Sequence, residues 1–365
     1  MRDSKTPLLA KICAGVISTF MVASTGAHAN ENVVGRPTKG LSISTENLAV
    51  AQAPARMLTS ATQLSDKVRT VLGLPNSDVA PEAFGDEGHP FTTKRASSQG
   101  DIVPVDKFPW RATGKLFMKF GDDLFVCTAS VIRNGLLVTA AHCVHNFGDR
   151  EEGFADAVTF EPARHESTRP FGTWTAKEWW VPQVYFDGTD ICSPQAPGIV
   201  CENDIAVVVV EKKDGMFIGE VTGMYGFRDG DFGYADFLNE KAAQITQLGY
   251  PSEKFDGDKM IRTDSVGYQD TPSNVVIGSN QTEGSSGGPW LQNFGVKTSH
   301  SGTPPTDNQS NQVVATTSWG FILDVFKVQG ASRFAKNSTY TMKSNIQALV
   351  DDACGANPGF CSGAQ

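Results

Sequence analysis

The feature that most restricts the fold is a series of short apolar segments that begins after about Ile102. Each segment has four to nine residues, and Gly, Asp or Pro residues separate most of them. Such a series is typical of the strands of an all-β barrel or sandwich. The ten segments are Ala112–Phe120, Phe125–Ile132, Leu136–Ala140, Ala157–Glu161, Ile205–Glu211, Gln244–Gly249, Met260–Tyr268, Val275–Gly278, Pro289–Gln292 and Val313–Phe321.

A single helix is predicted after these segments, over residues 338–350. Ser338 is a suitable N-cap residue, and Met342, Ile346 and Leu349 share one helical face. The β-rich part has roughly 265 residues, which is long for one small barrel and sufficient for two compact ones.

The first 29 residues have the pattern of a signal peptide. A basic start is followed by an apolar stretch over Ile12–Ala23 and by Ala27-His28-Ala29, which matches an A-x-A cleavage site. The apolar stretch is shorter than the roughly 20 residues that a membrane-spanning helix needs. We therefore expect an exported protein.

Residues 30–95 differ from the chain that follows. They are rich in Ala, Ser, Thr, Asn and Pro, and their only obvious periodicity is an amphipathic pattern over Ala61–Leu74. The segment closes with Lys94-Arg95, which we expect to lie exposed in a polar loop. We predict a pro-segment that is removed near Arg95, and the alternative is a retained disordered linker.

Removal of the signal peptide leaves six of the seven cysteines. An even number in an exported chain indicates disulfides, and six cysteines allow 15 pairings. Pairing by nearness in sequence is the simplest of these, and zinc is disfavoured because no C-x-x-C pair is present. The nearest pairs are Cys127 with Cys143, Cys192 with Cys201, and Cys354 with Cys361.

The charge of the chain argues against nucleic acid as a partner. The formal net charge is −9, and basic residues do not cluster beyond pairs such as Lys212-Lys213. No segment after the signal peptide is apolar enough to cross a membrane, so we expect neither a nucleic-acid nor a membrane partner.

Three motifs contain the parts of a serine hydrolase. Gly284–Pro289 holds Ser286 in a glycine-rich turn, Thr-Ala-Ala-His-Cys ends with His142 beside Cys143, and Asp204 opens an apolar strand. A serine hydroxyl needs a base such as His142, and an aspartate orients that base. The N–H groups of Gly284 and Ser286 are the candidate donors to an oxyanion. We prefer Asp204 to Asp187 and Asp190, which lie in a loop.

The His–Asp–Ser order resembles the chymotrypsin-like serine peptidases, and in particular the secreted bacterial branch that contains the glutamyl endopeptidases. The resemblance covers roughly residues 102–350. Further segments that support the resemblance are Phe108–Ala112, Cys127–Cys143, Leu248–Pro251 and Ser318-Trp319-Gly320.

The resemblance implies two six-stranded antiparallel β-barrels, over 96–222 and 223–365, with the triad in the cleft between them. It also implies that Cys127 and Cys143 are bridged and that Ser318-Trp319-Gly320 pairs with the substrate backbone. In this division the predicted helix and the C-terminal tail belong to the second barrel.

Three positions depart from the known members of this group. Ser285 stands where trypsins have the aspartate that captures a new N-terminus, and Asn280 stands where they have the aspartate that binds Arg or Lys. Thr317 stands where glutamyl endopeptidases have a histidine. We predict a neutral polar pocket formed by Asn280, Gln281, Thr282 and Thr317.

His145 lies three residues after His142, and we interpret it as a solvated loop histidine and not as a metal ligand. The chain is thus predicted to be a secreted, monomeric serine endopeptidase that needs no cofactor and acts on proteins or peptides. The alternative is a non-catalytic homologue that retains the fold as a binding module.

Overall fold

The computed structural model describes residues 32–38, 43, 90–96, 105–194, 196–237, 240–269, 274–295, 309–321 and 326–362. Antiparallel strands dominate, as the apolar segments predict. The described strands are β1 (Val33–Pro37), β2 (Phe91–Arg95), β3 (Thr113–Phe120), β4 (Asp123–Arg133), β5 (Leu136–Thr139), β6 (Ala157–Pro162), β7 (Trp174–Pro182), β8 (Ala206–Val210), β9 (Gly226–Phe227), β10 (Ala235–Phe237), β11 (Glu240–Gly249), β12 (Ile261–Gln269), β13 (Asn274–Gly278), β14 (Pro289–Gln292), β15 (Gln312–Gly320) and β16 (Val328–Arg333).

The first barrel is formed by β3 to β8. Its strands are paired in the order β7-β6-β3-β4-β5-β8, and pairing between β7 and β8 closes it. Leu116, Phe160 and Trp179 are fully buried and fill its interior. A closed barrel leaves no edge strand exposed, and this barrel therefore holds its loops on a rigid base.

The second barrel has the strand order β11-β14-β15-β16-β13-β12, and β11 pairs with β12 to close it. Trp290, Ile245 and Ile277 are buried in its interior. The predicted pair of six-stranded antiparallel barrels is therefore confirmed.

Two barrel strands, β7 and β16, were not among the predicted segments. Strand β7 carries charged residues between its tryptophans, although Trp174 and Trp179 pack into the first barrel. Strand β16 reads VQGASR and buries Gln329 and Arg333. Because its composition is polar, the sequence did not predict this strand, which pairs with β13 on one side and with β15 on the other.

The described helices are α1 (Gln183–Phe186), α2 (Ile218–Thr222) and α3 (Asn345–Ala356). The predicted start of the C-terminal helix at Ser338 is wrong. Ser344 is the N-cap, since its side chain accepts a hydrogen bond from Gln347 N, and Met342 lies outside the helix with 87% of its surface exposed.

Helix α3 follows the second barrel in sequence but packs against β1, β7 and β8 of the first. Ile346 and Leu349 are fully buried in the first barrel's core, which stabilises this position by about 1.5–3 kcal/mol for each side chain. The helix thus ties the end of the chain to the first barrel, and its predicted grouping with the second barrel does not reflect its packing.

Both ends of the predicted pro-segment form strands. Strand β1 pairs with β7 of the first barrel, and β2 pairs with β12 of the second. Lys94 and Arg95 are exposed as expected, but they lie in β2 and not in a loop. The predicted signal peptide and the amphipathic pattern over Ala61–Leu74 lie outside the described residues. Removal of residues 30–95 stays a prediction.

The structure contains three disulfides, and they join the cysteines that are nearest in sequence: Cys127–Cys143, Cys192–Cys201 and Cys354–Cys361. Within the described residues, no helix is both long and apolar enough to cross a membrane.

Charged side chains join the two barrels. Lys115 of β3 and Arg164, which follows β6, both contact Asp258 in the loop before β12. Burial lowers the pKa of Lys115, although the carboxylate of Asp258 partly offsets this effect. Tyr250 at the end of β11 also donates its hydroxyl to the Arg164 carbonyl at 3.0 Å. These contacts hold the loop after β11 against the first barrel.

Candidate active site

Strand pairing brings His142 and Asp204 together. Strand β5 pairs with β8 so that Thr139 lies opposite Ala206. His142 lies in the 3-10 turn that follows β5, and Asp204 lies two residues before β8 begins. The two side chains therefore come from the same end of adjacent antiparallel strands.

Asp204 is fully buried and accepts three hydrogen bonds. Its Oδ2 lies 2.7 Å from His142 Nδ1, and its Oδ1 accepts from the His142 backbone N–H at 2.8 Å. The third donor is Ser318 Oγ, which lies 2.5 Å from Oδ2. The carboxylate is thereby fixed relative to both the ring and the backbone of His142.

From the sequence, Ser318 was predicted only to bind substrate, and its hydrogen bond to Asp204 was not predicted. Ser318 Oγ is also within hydrogen-bonding distance of the Ile199 carbonyl. A single hydroxyl proton serves one of these two acceptors at a time.

Asp187 and Asp190, the alternatives to Asp204, have other partners in the part of the chain that the structure describes. Asp190 accepts from Asn203 N at 2.8 Å, from Asn203 Nδ2 at 2.7 Å and from Ile191 N at 3.0 Å. Burial raises the pKa of Asp190 to about 6, and the bonds from Asn203 oppose that shift. Asp187 accepts from Gln183 and lies 3.5 Å from Arg150 Nε. Asp190 thus positions the residue that precedes Asp204.

His145 is fully buried, and the expectation of a solvated histidine is wrong. Its ring packs against Phe154 and Phe186, and its Nε2 lies 2.7 Å from the Arg150 carbonyl. It supports the loop after the His142 turn from inside the first barrel.

Ser286 lies in the turn between β13 and β14 and faces the first barrel. Its carbonyl accepts from Thr128 N in β4 at 2.7 Å. Gly287 has φ +75°, and a Cβ there would lie 2.0 Å from Thr139 Oγ1. Only glycine allows this conformation and this approach without strain. The Ser286 turn therefore packs on the end of β5, which leads directly into the His142 turn.

Three successive carbonyl groups at the start of this turn each accept a hydrogen bond. Glu283 O accepts from Ser252 N at 2.7 Å, and Gly284 O accepts from Thr128 Oγ1 at 2.8 Å. Ser285 O accepts from Gly288 N at 2.9 Å. Because C=O and N–H point in opposite directions in a trans peptide, these bonds direct the N–H groups of Gly284 and Ser286 away from Ser252 and Gly288.

Within the described chain, neither of those two N–H groups donates to another residue. Gly284 has φ +89°, and a Cβ at that position would lie 2.5 Å from the Tyr250 carbonyl. The turn thus offers two free donors in a conformation that a larger residue cannot adopt.

A cavity of about 270 Å³ lies next to the turn, and three of the four residues predicted for the pocket line it. Gln281 is buried and donates to Thr263 Oγ1 at 3.1 Å. Asn280 Oδ1 accepts from Thr93 Oγ1 of β2 at 2.9 Å. The cavity is lined by Glu253, Ser279, Asn280, Gln281, Thr282, Glu283, Phe321, Phe326, Lys327 and Val328.

Thr317 does not line this cavity. Its hydroxyl lies inside the second barrel, where it accepts from Trp290 Nε1 at 2.9 Å and from Gln247 Nε2 at 3.0 Å. The cavity includes the charged residues Lys327, Glu253 and Glu283, which the prediction of a neutral pocket did not include.

Ser318-Trp319-Gly320 forms the end of β15. Strand β16 pairs with Trp319 and Gly320 on one side, whereas pairing with β14 on the other side stops at Thr316. Trp319 is buried against Ile199 of the loop that Cys192–Cys201 closes. The end of β15 therefore lacks a partner strand on the side of β14. An extended peptide can be added to a sheet at such a position.

Two groups of described residues bring three potential metal ligands together: Cys127, His142 and Cys143, and Asp190, Cys192 and Cys201. Both cysteines of each group are joined in a disulfide, so neither group offers the thiolate that a metal site of this kind uses.

The family model "Trypsin" matches residues 98–322 of the chain. This match spans more than half of the sequence and includes His142, Asp204 and Ser286. The chain belongs to the trypsin family of serine proteases.

Two solved structures are similar to the chain. Protease Anisep from Arthrobacter nicotinovorans has a TM-score of 0.50 and 21% identity, with 67% of this chain and 96% of that chain covered. A Glu endopeptidase in complex with MPD has a TM-score of 0.47 and 17% identity, with 72% and 95% covered. At such identities the likeness to Anisep shows the fold alone.

A curated relative is 29% identical over 91 residues, which are 24% of this chain. It is the "Extracellular metalloprotease" of Bacillus subtilis (strain 168), and the chain spans 28% of its length.

The resemblance to trypsins places Ser285 at the position of an aspartate, and the Ser285 side chain has two hydrogen-bond partners. Its hydroxyl donates to the Thr282 carbonyl at 2.6 Å and accepts from Gln329 Nε2 at 3.2 Å. No ionised group is involved in these two bonds.

Proposed function

We propose that the protein is a secreted serine endopeptidase in which Ser286, His142 and Asp204 form the catalytic triad. The observation that carries this proposal is the buried His142–Asp204 pair beside a glycine-rich turn whose Gly284 and Ser286 N–H groups are free. Membership of the trypsin family supports it.

The proposed reaction begins with proton transfer from Ser286 to His142. Because Nδ1 of His142 donates to Asp204, Nε2 is left as the basic nitrogen. Ser286 Oγ attacks the scissile carbonyl carbon as Nε2 takes its proton. The negative charge that develops on the carbonyl oxygen is stabilised by the two N–H groups, each worth about 2.7–4 kcal/mol.

Collapse of the tetrahedral intermediate expels the amine, which takes the proton from His142. The acyl-enzyme on Ser286 is then hydrolysed by water, with His142 as the base again. Asp204 stabilises the imidazolium in both halves of the reaction. No cofactor is needed for these steps.

The substrate is proposed to bind as a strand along Ser318–Gly320, with the side chain before the cut in the cavity that Asn280, Gln281 and Thr282 line. Residues 1–29 are proposed to direct export, which agrees with three disulfides. Processing is proposed near Arg95, which is exposed.

The test is digestion of a peptide library by the purified secreted protein, with Ser286→Ala as the comparison and mass spectrometry as the readout. We expect peptide cleavage by the parent and a loss of at least 10³-fold in Ser286→Ala, because the nucleophile is absent. Equal cleavage by both proteins would overturn the triad. No cleavage by either folded protein would favour a non-catalytic binding module.

A further inference from the structure

The hydroxyl of Ser285 belongs to a buried hydrogen-bond chain inside the second barrel. Ser285 precedes the proposed nucleophile and has 1% of its surface exposed. A Cβ at Gly249 in β11 would lie 2.8 Å from Ser285 Cβ, which shows how closely the barrel wall fits around this residue. The side chain is therefore enclosed by protein and shielded from solvent.

Gln329 of β16 connects Ser285 to Gln247 of β11 across the barrel interior. Its Nε2 donates to Ser285 Oγ at 3.2 Å, and its Oε1 accepts from Gln247 Nε2 in β11 at 2.6 Å. Gln247 Nε2 also donates to Thr317 Oγ1. Gln247 and Gln329 are both buried.

The donor and acceptor assignments of this chain agree with one another. Because Gln329 Oε1 faces the donor of Gln247, its Nε2 is directed to Ser285. Since Ser285 Oγ accepts that proton, its own proton is free for the Thr282 carbonyl at 2.6 Å. Ser285 N also donates to Thr282 O, at 3.2 Å. The turn is thus closed by two bonds to one carbonyl.

The same turn contains the oxyanion donors. Closing residues 282–285 fixes the peptide plane between Glu283 and Gly284, and Ser252 N holds the Glu283 carbonyl on the far side of that plane. Loss of the bond between Gln329 and Ser285 would release one support of this plane without changing a residue that touches substrate.

We propose that Gln329 is a positioning residue that holds the oxyanion turn in its working geometry through Ser285. An uncharged side chain from β16 supplies the support, and no ionised partner is needed at this point. This inference rests on the proposed peptidase function. It assigns a role in that reaction to a residue about 40 positions after the nucleophile.

The test compares Gln329→Met with Gln312→Met. Methionine keeps the length of the side chain and removes its hydrogen bonds. Gln312 is also buried in the second barrel, but its Nε2 donates to Ser310 O, away from the turn. We expect Gln329→Met to lower kcat by roughly 10- to 100-fold with KM changed less than threefold. Gln312→Met should leave kcat near that of the parent.

A double-mutant cycle with Ser285→Ala guards against a general packing defect. If Gln329 acts through Ser285, the kcat of the double variant should be within about threefold of the slower single variant. Multiplied losses, or an unchanged kcat for Gln329→Met with a lowered melting temperature, would overturn the proposal. Absence of Ser286-dependent turnover in the parent would instead overturn the proposed function.

Discussion

Asp204 shows how a single residue depends on contacts that are far apart in sequence. Its two bonds to His142 span 62 residues, and the bond from Ser318 spans 114. A charged acceptor in a fully buried site gains about 1.5–3 kcal/mol from each such donor. Ser318 is therefore expected to contribute to the orientation of the His142–Asp204 pair.

The first prediction is that Ser318→Ala lowers kcat by roughly 3- to 30-fold, since Asp204 then loses one of its three donors. Steady-state kinetics with active-site titration measure this change. Ser332→Ala is the control, because Ser332 Oγ donates to Cys201 O in the loop next to Asp204 but not to Asp204 itself. Similar kcat values for both variants would contradict the role of Ser318.

The proposed catalytic residues were singled out from the sequence because each lies in a local motif. His142 precedes Cys143, Ser286 lies among glycines, and Asp204 opens an apolar segment. The contacts of Ser318 and Thr317 could not be predicted, since their direction depends on a register shift in β15 between Thr317 and Trp319. The sequence does not show on which side of a strand such an irregularity leaves a hydroxyl.

At the scale of elements, the disulfide Cys127–Cys143 connects β4 to the turn that carries His142. Thr128, the next residue of β4, donates to Ser286 O and Gly284 O. The bridge and the neighbouring hydrogen bonds therefore join the proposed base and nucleophile through the same strand.

The second prediction concerns the double replacement of Cys127 and Cys143 by Ala. A bridge over 16 residues stabilises the folded chain by about 2–4 kcal/mol, so the melting temperature should fall, and kcat should fall with it. Replacing Cys354 and Cys361 by Ala is the matched control. That bridge lies at the end of α3, and its loss should lower stability without lowering kcat. An unchanged kcat in the variant that lacks Cys127–Cys143 would show that this bridge does not support the geometry of the proposed site.

The strands that could be predicted have compact apolar runs, whereas β7 and β16 could not because charged or polar residues interrupt them. In β16 the buried polar residues have partners across the barrel, as Gln329 does. The start of α3 was predicted too early because Ser338 and Ser344 are both acceptable N-caps. The tertiary contacts of Asn345, which donates to the Arg333 carbonyl, favour the later start.

At the scale of the whole molecule, chain length was sufficient for two barrels and the family resemblance implied them, but neither predicted the strands that β1 and β2 add to them. These strands come from a segment with a polar composition. They pair with residues 178–182 of β7 and 261–265 of β12, which extend beyond the residues that pair with β6 and β13. Such additions depend on which parts of a barrel strand extend beyond its neighbour.

Asp190 connects three parts of the molecule. Its carboxylate holds Asn203, and Asn203 Oδ1 accepts from Asn337 Nδ2 and from Asn345 Nδ2 at the start of α3. The loop before Cys192, the residue before Asp204 and the start of the C-terminal helix therefore share one polar cluster, in which Asn203 and Asn345 are buried and Asp190 is half-buried. Burial raises the pKa of Asp190 from 3.8 to about 6.

The last prediction follows from this shift. A carboxyl group whose pKa is higher in the folded chain binds its proton more tightly there, so its contribution to stability is greatest below about pH 4. That contribution falls as the pH rises to about 6 and is then constant, with a total change of at most about 3 kcal/mol. Asp190→Asn does not titrate, so the free energy of unfolding of the parent minus that of the variant should fall by at most about 3 kcal/mol between pH 4 and pH 7.

Urea unfolding of both proteins at several pH values between 4 and 7 measures this difference. Asp187→Asn changes a nearby residue of the same loop without removing the bonds of Asp190, and it is the control for general effects of the substitution. A parent-minus-variant difference that stays constant over this range would show that the Asp190 carboxyl group does not couple proton binding to folding. A parent-minus-variant difference that falls as the pH rises would place the coupling at the cluster that joins the proposed site to α3.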